Sequence, residues 1–303
     1  MGPARSESSM MCWSICRNGF STVIVFILMC EKFTPSSSSN GGSPGYPLVP
    51  NAATNVERAV LTALIGRQCV SESEFKKLVE KCQAVDMQVC GGGQGAEVKT
   101  VLQNVSYTLE DYEMELQRVR DQLSGEFVFV LVNKTNNEWT RKATQYRPDE
   151  IDVLKGIISA IFAESNNQPH DRFWVDFHSI KQLPDLDEVQ GKFDSKSFDQ
   201  VVLAFVADGW LGRRSDKIYL TPRTLAELKP YLNELYGPRG SQTLQTCAGC
   251  HQIFTVGRQC ISEDCVRLHE YCVNAYFQKY CNGEPKCAKC GNDMNESYTV
   301  VSV

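Results

Sequence analysis

A chain of 303 residues, 42% hydrophobic and 22% charged, has room for two or three domains of about 100–150 residues, each with its own core. Its net charge of −5 excludes a polycation that coats nucleic acid, so any DNA contact must come from a local basic patch. Of its 14 cysteines, most lie between Cys247 and Cys290, in close pairs with a histidine among them. That is metal spacing rather than a disulfide framework, and zinc thiolates imply a reducing compartment, cytosol or nucleus.

In chain order, residues 1–50 read as an appendage, either an N-terminal extension or the product of an upstream start codon. The apolar run Phe20 to Cys30 is shorter than the ~20 residues that span a bilayer, so no membrane contact is expected. Residues 34–50 form a Ser/Gly/Pro linker with nothing to bury. The first winged-helix domain is expected over 51–146. Val56, Val60, Ala63 and Leu64 share one helical face, and a second helix starts at Ser71 or Ser73 with Phe75, Leu78, Val79 and Cys82 as its stripe. Gly91, Gly92, Gly93 and Gly95 make a loop before Lys99-Thr100. No glycine precedes that lysine, so a phosphate cradle is excluded. A third helix is predicted over 108–124, and the run Phe127 to Val132 is predicted to pair with the segment 138–144 as a hairpin.

The same order recurs over 147–238, the second winged-helix domain. Ile151, Leu154, Ile157, Ile158, Ile161 and Phe162 make an amphipathic helix opened by Pro148. Phe173 to Ile180 is a short apolar stretch. A helix from Ser195 buries Phe198, Val201, Val202, Phe205 and Val206 and stops at Asp208-Gly209. Trp210 to Thr221 then alternates as a second wing, and Thr221-Pro222 opens a last helix carrying Leu225, Leu228, Leu232 and Leu235.

Residues 239–303 carry the chemistry. The potential ligands are spaced C-x2-C, nine residues, C, four, C, three, H-x2-C, fourteen, C-x2-C. A C-x2-C turn presents two thiolates to one tetrahedral ion, so eight ligands make two zinc ions. In a cross-brace, Cys247, Cys250, His269 and Cys272 hold one ion, and Cys260, Cys265, Cys287 and Cys290 hold the other. Such a finger folds on metal rather than on a core, and is expected to unfold without disturbing the winged helices. Cys281 has no C-x2-C partner and is a spare. His251, beside Cys250, is a surface loop residue, and His170 and His178 are surface or core residues. The predicted fold class is therefore α+β: tandem winged-helix domains followed by a cross-braced two-zinc RING variant whose ligands run four cysteines, one histidine, three cysteines.

This arrangement resembles the non-structural maintenance of chromosomes element 1 family, the RING-like subunits of the Smc five–six complex. The resemblance rests on CAGCHQIFTVGRQC, on LHEYCVNAYFQKYCNGEPKCAKC, and on the preceding second winged helix, FDQVVLAFVADGWLGRRSDKIYLTPRTLAELKPYL. It implies nuclear location, DNA repair, pairing with a MAGE-like winged-helix subunit, contact with a kleisin subunit, and a RING similar to those of ubiquitin ligases. On that model, Ala248, Gly249, Tyr276, Phe277 and Ala288 would meet a ubiquitin-conjugating enzyme. A ligase RING usually carries Ile or Leu before its second ligand, Pro after its seventh and Arg or Lys after its eighth; here stand Gly249, Ala288 and Gly291. The competing readings are a structural subunit that only binds partners, and a chromatin reader. The reader is disfavoured by Pro285, where such fingers place an aromatic. DNA contact, if made, falls to Arg213, Arg214 and Lys217 of the second wing, with Arg223 beyond.

Overall fold

The computed structural model describes residues 53–90, 95–134, 146–164, 173–186, 191–193, 195–262, 265–294 and 298–301. Residues 1–50, the glycines 91–93, His170 and the segment 138–144 expected to complete a hairpin lie outside these. The chain folds as two units: one takes in residues up to Leu116 and Leu131–Gln145, the other Gln117–Val130 and the chain from Tyr146 onward.

The first winged helix runs α1 (Asn55–Arg67), β1 (Cys69–Ser71), α2 (Glu72–Cys90), α3 (Val98–Glu110), β2 (Met114–Arg120) and β3 (Phe127–Asn133), with sheet order β1-β3-β2. Thr54 and Glu57 form a reciprocal capping box on α1, which buries Val60, Leu61, Leu64 and Ile65. Glu57 also accepts from the Asn104 amide at 2.6 Å, tying α3 to α1. Ser71 caps α2 in the same way through Glu74, as the sequence predicts, and Phe75 and Val79 are buried.

The third helix is displaced from its expected position. It spans Val98–Glu110 and buries Val101, Val105 and Leu109, one side of three successive turns. Residues 114–120, expected to be helical, form β2, which lies beside β3 in the sheet. The backbone reason is Glu113, whose φ of 57° ends the turn after α3 and redirects the chain into a strand of mainly alternating burial.

The second winged helix follows the predicted order more closely. It consists of α4 (Pro148–Glu164), β4 (Trp174–Asp176), two 3₁₀ turns, α5 (Ser195–Ala207), β5 (Leu211–Arg214) and β6 (Lys217–Leu220), with sheet order β4-β6-β5. β5 and β6 form a tight hairpin in which Arg214 faces Lys217 and Ser215 takes φ 55°. The last predicted helix is split at Leu228 into α6 (Pro222–Glu227) and α7 (Lys229–Tyr236). Pro230 lacks an N–H and its ring excludes the carbonyl four residues back, so the helix cannot run through.

The finger adds β7 (Gly257–Cys260), β8 (Arg267–Leu268), α8 (Val273–Tyr280) and β9 (Tyr298–Val301), with β7 central in the sheet. It is not set apart from the second winged helix. Ile253 and Phe254, inside the first Cys knuckle, are buried in the same hydrophobic core as Phe162, Phe173 and Tyr236. Phe254 meets the Phe173 ring edge-on at 6.2 Å. The expected independence of the finger from the winged helices is corrected by this shared core.

Candidate metal centres

Each Cys pair sits on a knuckle closed by its own backbone. Around Cys247, a Thr246–Ile253 bridge and the bonds Cys247 N to Gln252 O and His251 N to Cys247 O turn both thiols inward. Around Cys287, a Lys286–Asp293 bridge, Cys287 N to Asn292 O and Gly291 N to Cys287 O repeat the pattern. The residue after the second cysteine has positive φ in both, 60° at His251 and 78° at Gly291. Cys260 ends β7, His269 precedes and Cys272 ends the 3₁₀ turn before α8, and Cys265 lies between β7 and β8.

The knuckles interleave. Cys247, Cys250, His269 and Cys272 form one cluster and Cys260, Cys265, Cys287 and Cys290 the other, with the ligand atoms of each within 4.8 Å of one another. A tetrahedron of ~2.3 Å zinc–sulfur bonds has edges of about 3.8 Å. Observed edges include Cys250 Sγ to His269 Nδ1 at 3.3 Å, Cys260 Sγ to Cys290 Sγ at 3.5 Å and Cys265 Sγ to Cys287 Sγ at 3.2 Å. All eight residues fit zinc in number, softness and spacing, so each cluster can bind one zinc ion. The cysteines of both clusters are unbridged. His269 is fully buried; its Nε2 donates to the Ile253 carbonyl at 3.2 Å, leaving Nδ1 as the ligand atom.

Thiols this close cannot all ionise on their own charge. A hydrogen bond from Cys250 brings the Cys247 thiol down to about 3 and pushes Cys250 upward. Burial, with the neighbouring sulfurs, raises Cys272 to about 11 and Cys265 to about 12. A divalent cation offsets this repulsion and lets every cysteine ligand bind as the thiolate. Cys281 stands apart, its thiol donating to Lys286 O, and His251 is exposed on the knuckle.

The residues expected to meet a conjugating enzyme divide. Gly249 and Ala288 are exposed and Ala248 half-buried. Tyr276 and Phe277 are only 5% and 6% exposed and lie in the finger's own core with Leu268 and Met294. Burial raises the Tyr276 phenol to about 12. Their expectation as surface contacts is corrected: a finger with so little core uses both rings to close itself. The second wing's cations are largely engaged. Arg213 lies 4.1 Å from the centre of Phe177 and pairs with Asp216, and Lys217 lies 4.4 Å from the centre of Trp174. Arg214 is exposed, whereas Arg223 is buried against Trp210 and Glu227. His178 is exposed and pairs with Asp216.

Three features escaped the sequence. Phe254 and Ile253 stand out only as an apolar pair in a polar knuckle. β9 could have been read from the β-branched run at the end of the chain. Gln122 and Arg120, which reach the knuckle from the β2–β3 hairpin, have no sequence signature.

A family model described as "Nse1 non-SMC component of SMC5-6 complex" matches residues 57–228, and a RING-like domain model matches 247–290. The Homo sapiens "Non-structural maintenance of chromosomes element 1 homolog" is 26% identical over 242 residues, 79% of this chain and 84% of its own length. The Schizosaccharomyces pombe "Non-structural maintenance of chromosomes element 1" is 27% identical over 182 residues, 59% of this chain and 72% of its own. A solved structure of an "Nse1-Nse3-Nse4 complex" has a chain of the same fold, with TM-score 0.65 and 21% identity, covering 82% of this chain and 99% of that one.

Proposed function

We propose, because this chain belongs to the Nse1 family of non-SMC components of the SMC5-6 complex, that it is the zinc-binding RING-like subunit of such a complex, working in the nucleus on chromosome maintenance and DNA repair. The neighbour solved as an Nse1-Nse3-Nse4 complex supports two partners, a MAGE-like winged-helix subunit and a kleisin subunit. The observation that carries the reading is the pair of interleaved four-ligand clusters at the end of tandem winged helices.

The finger's task in this reading is to hold a ubiquitin-conjugating enzyme in a reactive pose, an orientation effect with no acid–base or nucleophilic residue of its own. Ala248, Gly249 and Ala288 offer the enzyme little apolar surface, and Tyr276 and Phe277 are committed to the core. Intrinsic transfer is therefore weak, and a MAGE-like partner raises it by holding the enzyme close. The same poverty of anchors favours the second reading, a subunit whose finger only binds partners. Ubiquitination assays across a panel of conjugating enzymes, with and without the partner, separate the two. Activity that appears with the partner and is lost in Cys247→Ser supports the ligase; none under any condition leaves the structural subunit. Direct DNA contact through Arg214 and its neighbours predicts salt-dependent binding that Arg214→Glu weakens.

A further inference from the structure

The loop closing the first knuckle is bonded from outside the finger. The Ile253 carbonyl and the Thr255 and Val256 N–H groups find one partner far upstream, Gln122, at the tip of the β2–β3 hairpin. Gln122 Nε2 donates to Ile253 O at 2.8 Å. Gln122 Oε1 accepts from Thr255 N at 2.9 Å, Thr255 Oγ1 at 3.1 Å and Val256 N at 3.0 Å. One amide thus uses both its ends on one short loop. The same Ile253 carbonyl accepts a hydrogen bond from His269 Nε2. A second contact reaches His269 from the same tip. The Arg120 guanidinium lies 4.2 Å from the centre of the Tyr271 ring, and that ring stacks on the His269 imidazole at 5.0 Å and 20°. Arg120 is itself held by its Nε bond to Gly125 O at 2.6 Å.

We propose that the tip of the β2–β3 hairpin is part of the first zinc site, with Gln122 and Arg120 as positioning residues that fix the carbonyl and ring between which His269 is held. A ligating imidazole needs a firm acceptor on its other nitrogen to keep its tautomer and aim. A carbonyl on a knuckle loop is firm only if the loop is pinned, and Gln122 supplies the pins. Residues 239–303 therefore carry all eight ligands but not the whole site. Among the described residues, the second cluster, with four thiolates, receives neither contact.

The inference rests on reading the two clusters as zinc sites, and the test separates the two claims. Native mass spectrometry of the full-length wild-type chain must first show two zinc ions; fewer would overturn the zinc reading itself. Zinc release to a colorimetric chelator is then followed for wild type, Gln122→Ala and the control Ser124→Ala, whose side chain bonds Asp121 and Glu126 of its own turn. In Gln122→Ala one zinc equivalent should leave several-fold faster, up to the ~10–100-fold that losing a ligand's direct hydrogen-bond partner costs in affinity, while the other is unchanged. Cobalt(II) substitution identifies the site, because the imidazole-containing set and the four-thiolate set differ in their visible bands, and the imidazole set alone should shift. General destabilisation would speed both sites alike. If Gln122→Ala does not fold, Arg120→Met is read in the same way. Equal loss from both sites, or release at the wild-type rate, overturns the proposal.

Discussion

Phe254→Ala tests whether the finger and the second winged helix are one folding unit. The Phe254 ring is fully buried among the winged-helix aromatics, edge-on to Phe173, and lies 5.7 Å from the His269 ring. An aromatic side chain buries ~200 Å², which at ~25 cal/mol per Å² gives ~5 kcal/mol as an upper figure. Truncations of this kind cost about 3–5 kcal/mol once the cavity left behind is counted. For a unit of this size that lowers Tm by ~8–15 °C. Urea unfolding of the zinc-loaded chain, followed both by tryptophan fluorescence of the winged helix and by zinc release, should show both signals moving together to lower denaturant. Phe254→Leu should recover more than half of the loss, because it refills most of the cavity. A loss below ~1 kcal/mol, or a finger signal that moves while the winged-helix signal stays, would refute a shared core.

Removing zinc with a chelator, or ligands by Cys247→Ser, should lower the stability of the second winged helix as well as unfold the finger, seen as a reduced Tm of the winged-helix tryptophans. Gly291→Lys should cost about 1–2 kcal/mol in thermal melts, because residue 291 sits at φ 78°, yet space is open for its side chain and partner-dependent ubiquitin transfer should rise. The Arg258 guanidinium, hydrogen-bonded to Glu270, holds its carboxyl below the ordinary 4.5. The stabilisation from that pair is present above about pH 4.5 and lost as pH falls through the lowered value, and with Glu270 61% exposed it is worth under ~1 kcal/mol. In Arg258→Gln, NMR titration of Glu270 should return towards 4.5.

The ligand clusters were legible because metal chemistry is local. A C-x2-C turn places its thiols by itself, and the only non-local step, which pair joins which, follows from the cross-brace. The amphipathic helices of the second winged helix were legible for the same reason: Ile157, Ile161, Phe198 and Phe205 declare their buried face at helical spacing. The misplaced third helix shows where locality ends. Residues 114–120 contain good helix formers, and the turn at Glu113 together with pairing to β3 makes them a strand. Gln122 marks the far limit. Nothing in a polar residue on a hairpin tip announces that its amide will satisfy a loop 131 residues away.

The same limit governs the ligase question. At sequence level Gly249 and Gly291 look alike, each a glycine where a ligase RING has a functional side chain. The backbone separates them. Gly291 occupies a left-handed position in open space, so its glycine suits the knuckle turn, and a cation could be added at the cost of strain alone. A Cβ on Gly249 would lie 3.0 Å from the Cys272 Cβ, so an apolar anchor there requires a zinc-ligand side chain to give by a few tenths of an ångström. The missing cation is thus open to repair, whereas the missing anchor is bound up with the geometry of the first metal site. Any affinity for a conjugating enzyme must then come from outside this position, which is why activity is expected to depend on the partner subunit rather than on the finger alone.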